Sequence, residues 1–389
     1  MRFSPVRISR RSLLGRIAAG AAVTAVAPSL AQGSLPADAA RTLESAGANQ
    51  HGGLVQLNRN ENAYGPSEKA IATMREAAKV AGCYPQARSE DLRIKIASFH
   101  GVQPAQVVLG CGSSEILRMA VDAFVGPGKR IVAALPTYEL VGQYARRARA
   151  EVVSVLLSGN YSHDLHAMRA RCDLATGLVY ICNPNNPTGS LTPRQDLEAF
   201  LRMLPAGIHV LIDEAYHHYV GQSSDYVSFI DRPVDDGRVI VARSFSKIYG
   251  LAGMRVGYVI AAPQVASLLA SHRLPENVNV VAALAAIAAL DDAEHVRTCA
   301  RLNADDRQEF FNQASARMAR TIDSHTNFVM VNTERPSVEV IEHFKRNDVL
   351  VAQPYAPLDK HIRVSLGAPA AMREFWRVWD LMPAHKMSM

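Results

Sequence analysis

The chain has 389 residues, 48% of them hydrophobic and 20% charged, which is enough to bury a large core in two or three domains and is the composition of an ordinary globular protein. Its formal charge of +6 is concentrated at one end: residues 1–31 hold Arg2, Arg7, Arg10, Arg11 and Arg16 and no acid, and setting these five of 42 Lys and Arg aside leaves near balance with 36 Asp and Glu. A basic surface for nucleic acid is therefore not supported, and disorder is not expected beyond the N-terminus.

In chain order, Ser9-Arg10-Arg11-Ser12-Leu13-Leu14 is a twin-arginine pattern, followed by an Ala-rich apolar run and the small-x-small site Ser29-Leu30-Ala31. Residues 1–31 thus read as a twin-arginine export signal, and the mature chain as periplasmic or otherwise exported. An Arg-rich transit peptide is the competing reading, and the paired arginines directly ahead of the apolar run argue against it. No other stretch is long and apolar enough to cross a bilayer, so membrane contact is expected only through the signal.

Residues 33–56 are rich in Ala, Gly and polar residues, and 32–80 is assigned to an N-terminal arm and part of a small domain. From about residue 85, short apolar runs alternate with helical spacing: VVLG, RIVAALP, EVVSVLL, GLVYICNP, HVLIDEAY, RVIVARSFS and RVGYVIAAP. Such runs predict strands buried on both faces, hence an α/β fold with a mostly parallel central sheet flanked by helices over 81–279. Beyond residue 270, the Ala/Leu stretch VNVVAALAAIAALDDAEHV leads into a charged helix and two strand-like runs, NFVMVN and HIRVSLG. These predict a smaller α+β domain over 280–389, with the long helix bridging the two. Cys83, Cys111, Cys172, Cys182 and Cys299 are odd in number and free of C-x-x-C spacing, so buried free thiols are expected and no metal site.

Every notable polar motif falls at the C-terminal end of an apolar run, where open α/β sheets place their ligands. GCGSSEIL (110–117) is a small-residue turn into a helix, suited either to a tight turn or to an anion held by the amides near Ser113 and Ser114. NPNNPTG (183–189) is a loop restricted by two prolines that presents Asn186, or a structural turn. DEAYHHY (213–219) thrusts Asp213 from a buried strand end, as a cap, a metal ligand or the partner of a cation. RSFSKIYGLAGMRVGY (243–258) sets Lys247 after Ser244 and Ser246 and ahead of Arg255, among small and apolar neighbours that suggest burial. A buried ammonium must be paired or lose its proton. One ligand uses all of these groups: pyridoxal phosphate, whose aldehyde bonds a lysine, whose ring nitrogen needs an acid, and whose phosphate needs N–H, hydroxyl and arginine donors.

The series GCGSSE, PTY, NPNNPTG, DEAY, SFSKIYGLAGMRVG and IRVSLG resembles the fold-type-I pyridoxal-phosphate aminotransferases of classes I and II. With LNRNENAYGPS near residue 57 and CYPQ near residue 83, it is most similar to the histidinol-phosphate aminotransferase branch, over roughly residues 55–370. The resemblance implies that Lys247 carries the cofactor and moves the substrate proton, that Asp213 pairs with the ring nitrogen, and that Asn186 and Tyr216 bond the ring oxygen. It implies further that Tyr138 stacks on the ring, and that Ser113, Ser114, Ser244, Ser246 and Arg255 hold the phosphate. Tyr84 would reach that phosphate from a neighbouring subunit of a homodimer with shared active sites. Arg363 would clamp a substrate carboxylate, and Tyr64 would line the entrance. Gln353 stands where the branch usually presents an arginine to the substrate phosphate, a departure that weakens the case for histidinol phosphate. His217 and His218 are expected beside the pocket or on the surface. The implied activity moves an amino group from an amino acid or amino-alcohol phosphate to a 2-oxo acid. A decarboxylase or lyase on the same fold, or a non-catalytic pyridoxal-phosphate-binding protein, are the alternatives.

Overall fold

Continuous apolar runs become strands where both faces of a sheet are covered, and the computed structural model, which describes residues 50–51 and 53–383, follows this rule except at the edge strand Glu151–Leu156, where only Val155 is buried. The export-signal reading of residues 1–31 lies outside the described residues. After β1 (Gln50–His51) and β2 (Leu54–Leu57) come the seven strands of the main sheet. These are β3 (Val107–Cys111), β4 (Arg130–Leu135), β5 (Glu151–Leu156), β6 (Thr176–Cys182), β7 (His209–Asp213), β8 (Val239–Ser244) and β9 (Val256–Ile260). Their order is β3-β9-β8-β7-β6-β4-β5. Strands β4 to β8 pair in parallel, while β9 runs antiparallel to both β8 and β3.

Alternate residues of one strand serve two different cores. In β6, Val179 and Ile181 join one apolar cluster while Leu178, Tyr180 and Cys182 join the other; in β8, Val241 and Ile240 divide the same way. Every residue of β6 and β8 is buried, which is why these runs carry no polar alternation. Each fully buried Val, Leu or Ile adds about 1.5–3 kcal/mol relative to exposure.

The expected Ala/Leu helix stops at Leu290, and Asp292 caps a second helix, Ala293–Ala316, by accepting from the His295 amide. The first helix, Val280–Leu290, packs its alanines into the core of the seven-stranded sheet, on the other side of the boundary expected at residue 279. A third core, holding Phe310, Phe344, Phe375 and Trp376, lies under two small sheets. One joins β10 (Arg320–Thr321), β11 (Phe328–Asn332) and β13 (His361–Ser365) antiparallel; the other sets β12 (Val349–Val351) parallel to β2, which pairs with β1. Among the described residues no helix is long and apolar enough to cross a membrane.

Candidate active site

Strand directions decide where the motifs meet. Because β9 is antiparallel, its first residue lies at the same edge as the last residues of β3, β6, β7 and β8: Cys111 faces Val256, Gly257 faces Ser244, and Asp213 lies between Cys182 and Ala242. The turns that leave this edge enclose a cavity of about 680 Å³. Twelve of the expected site residues line it: Ser113, Ser114, Tyr138, Asn186, Asp213, Tyr216, Ser244, Ser246, Lys247, Arg255, Gln353 and Arg363.

Each motif carries its own scaffolding. In GCGSSEIL, Gly112 turns at φ +73°, and Glu115 closes the turn by accepting from the Cys111 amide at 2.7 Å. A Cβ on Gly112 would run into the Arg255 guanidinium, so only glycine lets that cation approach the helix start. Arg255 itself sits at φ +58° and donates to Ser246 Oγ (3.4 Å) and Ser114 Oγ (3.5 Å). In NPNNPTG, Asn183 is tied to Thr192 and Asn185 to Pro136, Thr188 and Thr137, which leaves Asn186 to face the cavity. The structural and the presenting roles of this loop fall on different asparagines.

Asp213 is 3% exposed and accepts from Tyr180 Oη (3.0 Å) and the Ala215 amide (3.1 Å), with no cationic side chain at ion-pair distance among the described residues. Burial pushes its pKa up to about 6, against the pull of the Tyr180 hydrogen bond. Lys247 Nζ donates to the carbonyls of Arg59 (3.1 Å) and Asn60 (3.0 Å). Burial, and next the charge of Arg363, push its pKa down to about 7. Arg363, 6% exposed, spends Nη1 on Asn186 Oδ1 (2.5 Å) and Nη2 on the Asn58 carbonyl (2.9 Å), with Phe328 and Tyr355 ring centres 5.2 Å away. Its buried Nε has no hydrogen-bond partner among the described residues.

These residues fit pyridoxal phosphate. A cluster of hydroxyls with Arg255 and the start of a helix suits a phosphate dianion. Asp213, buried without a cation, suits a protonated ring nitrogen, and a lysine already near neutrality suits an aldehyde. The unpartnered Nε of Arg363 leaves a donor for a further anion. Among the described residues no group of His, Cys, Asp or Glu is placed to hold a metal ion.

Tyr64 departs from its expected place. Asn62 Oδ1 accepts from the Tyr64 amide, and the Tyr64 hydroxyl donates to Asp306 on the helix Ala293–Ala316 at 2.5 Å, so the ring packs beside that helix instead of lining the cavity. Tyr84 also lies outside the cavity and is 79% exposed on this chain. Neither His217 nor His218 lines the cavity; burial, with Arg243 next, pushes the His218 pKa down to about 3 and that of His217 further. Asn60, Thr137, Tyr180, Tyr355 and Ser365 contribute to the site and were not anticipated. Asn60, Thr137 and Ser365 fall inside motifs named above, but they act by contacts between residues far apart in sequence, which local spacing does not show.

The sequence profile of the family Aminotransferase class I and II matches residues 53–378. The chain is 37% identical to a histidinol-phosphate aminotransferase of Akkermansia muciniphila, over 85% of this chain and 90% of that protein. It is 33% identical to a histidinol-phosphate aminotransferase of Caldicellulosiruptor saccharolyticus, over 83% and 90%. Its fold is similar to that of the histidinol-phosphate aminotransferase of Sinorhizobium meliloti, solved in complex with pyridoxal-5'-phosphate, with a TM-score of 0.79, 27% identity and coverage of 84% and 91%.

Proposed function

The chain belongs to the class I and II aminotransferases, and from that premise we propose how its own residues carry out amino transfer from a donor to a 2-oxo acid. The observation that carries the reading is Lys247, held near neutrality in one cavity with Asp213, Arg255 and Arg363. When bound, pyridoxal phosphate supplies an aldehyde and an electron-withdrawing ring that accepts the electron pair left when a proton leaves the donor's reacting carbon.

Lys247, with its amine largely neutral above pH 7, takes that proton and returns it on the far side of the amino nitrogen, two bonds away, a general-base contribution of about 10²–10⁴ in rate. Asp213 holds a positive charge at the buried floor. Asn186 and Tyr216 donate to the ring oxygen, and Tyr138 offers a ring face. Ser113, Ser114, Ser244, Ser246 and Arg255 hold the phosphate. Arg363 takes the carboxylate of donor and acceptor in turn, and Gln353 faces the rest of the substrate. Borohydride treatment of the loaded protein, followed by peptide mass mapping, is expected to place the cofactor's mass on Lys247; a different lysine, or none, would remove the basis of this assignment.

For the donor, the relatives' names point to histidinol phosphate, and the neutral Gln353 favours a donor with less charge at that end. The exposed Tyr84 supports a homodimer in which it completes the partner's phosphate site, and Arg10-Arg11 with the run that follows supports export. Light scattering and N-terminal sequencing of the cell-fractionated protein check these two proposals: a fully active monomer, or an intact N-terminus in the cytosol, contradicts one or the other.

A further inference from the structure

A sequence of hydrogen bonds at the top of the cavity fixes the direction of a single proton. The backbone N–H of Asn60 donates to Ser365 Oγ at 2.9 Å, so that oxygen is an acceptor there. The one proton of the Ser365 hydroxyl then goes to Asn60 Oδ1 at 3.0 Å. The amide is thereby oriented, and its Nδ2 faces Tyr216 Oη at 3.0 Å. An NH2 group only donates, so Tyr216 Oη accepts, and the tyrosine's own proton is left for an acceptor in the cavity. Asn60, Tyr216 and Ser365 are all at most 3% exposed. Asn60 holds φ +54°, a region asparagine tolerates better than most residues, and its carbonyl accepts from Lys247 Nζ and Asn327 Nδ2.

We propose that Asn60 is a positioning residue that aims the Tyr216 hydroxyl proton at the ring oxygen of the bound cofactor, with Ser365 setting the orientation of its amide. This rests on the reading of the cavity as a pyridoxal-phosphate site. Asn60→Asp keeps the shape and reverses the bond: the carboxylate takes the Tyr216 proton, and the ring oxygen loses a donor. An anionic oxygen that loses a donor retains a neighbouring proton to higher pH.

The test is the midpoint of the pH-dependent absorbance change of the cofactor bound to the full chain. Asn60→Asp is expected to raise that midpoint by about one pH unit or more. Tyr216→Phe is expected to raise it similarly, and less than half of the Asn60→Asp shift is expected to remain in the Tyr216→Phe background. Ser365→Ala, which frees the amide to turn, is expected to give a smaller shift in the same direction. An unchanged midpoint in Asn60→Asp, or a shift that adds in full to that of Tyr216→Phe, overturns the proposal. If Asn60→Asp does not retain cofactor, Ser365→Ala decides, and an unchanged midpoint there overturns it. A wild-type chain that takes up no cofactor would contradict the underlying reading of the site, and this proposal with it.

Discussion

Lys247 and Asp213 are both held away from their ordinary charge states, in opposite directions and mainly by burial. A buried amine and a buried carboxyl each lose the hydration that stabilises the charged form, so the amine becomes a weaker base and the acid a weaker acid. Two carbonyls, from Arg59 and Asn60, are what Lys247 is given in compensation. Gln353 illustrates specificity at the same scale. It lines the cavity with Tyr355 and Arg363, and a neutral amide can donate to a phosphate but brings it no counter-charge. Gln353→Arg is expected to raise kcat/KM for a phosphorylated donor by about 10-fold or more, the size of one charge-assisted hydrogen bond, and to leave an uncharged donor little changed. Steady-state kinetics with the two donors checks this, and equal effects on both would show that position 353 does not sense the anion.

At the scale of elements, the edge of the sheet is stiffened directly behind the cavity. Glu214, which follows β7, and Arg243, the next-to-last residue of β8, form an ion pair at 2.9 Å with both side chains at most 3% exposed. Ser228 and the Phe229 amide complete the shell around Glu214, and Ser228 also accepts from Arg243. Glu214→Ala leaves the guanidinium buried without its counter-charge, and the expected cost is about 3–5 kcal/mol in chemical denaturation. Because Glu214 adjoins Asp213 and Arg243 adjoins Ser244, weaker cofactor retention is expected alongside. Much of this architecture was legible in the sequence. All seven apolar runs became strands of one sheet, six of them mostly buried and β5, at the sheet's edge, largely open, and the motifs at the strand ends met at one edge. Tyr64 and Asn60 were not legible. They sit four residues apart in one loop, but one is claimed by Asp306 and the other by Lys247, Tyr216 and Ser365, partners 156 to 305 positions away. The break at Asp291-Asp292 was visible only as a change in composition, while the packing of Val280–Leu290 against the main sheet depends on a face that an all-apolar helix does not mark.

At the scale of the whole molecule, the site makes the unloaded chain's stability depend on pH. Asp213 has a folded-state pKa raised from 3.8 to about 6, so its contribution is fully present below about 3.8 and is lost as pH rises through 6. Lys247 has its value lowered from 10.5 to about 7, so its contribution is fully present above about 10.5 and is lost as pH falls through 7. Both burdens are therefore carried together near pH 6–7. A cofactor that pairs with Asp213 and bonds Lys247 relieves both. The rise in Tm on loading is expected to be largest near pH 6–7 and to shrink toward pH 4 and toward pH 10, measured by calorimetry with and without pyridoxal phosphate. A rise independent of pH would show that neither group changes its state on loading.

The central claim is that this chain transfers amino groups, and the most direct measurement is the absorbance of the loaded protein while amino donors, histidinol phosphate among them, are added singly with no 2-oxo acid present. With an accepted donor, the cofactor's aldehyde-form band is expected to bleach stoichiometrically and to return when a 2-oxo acid is added. A band that no donor converts, or turnover of a donor in which the band persists and no 2-oxo acid is needed, would contradict the account and favour a lyase, a decarboxylase or a binding protein.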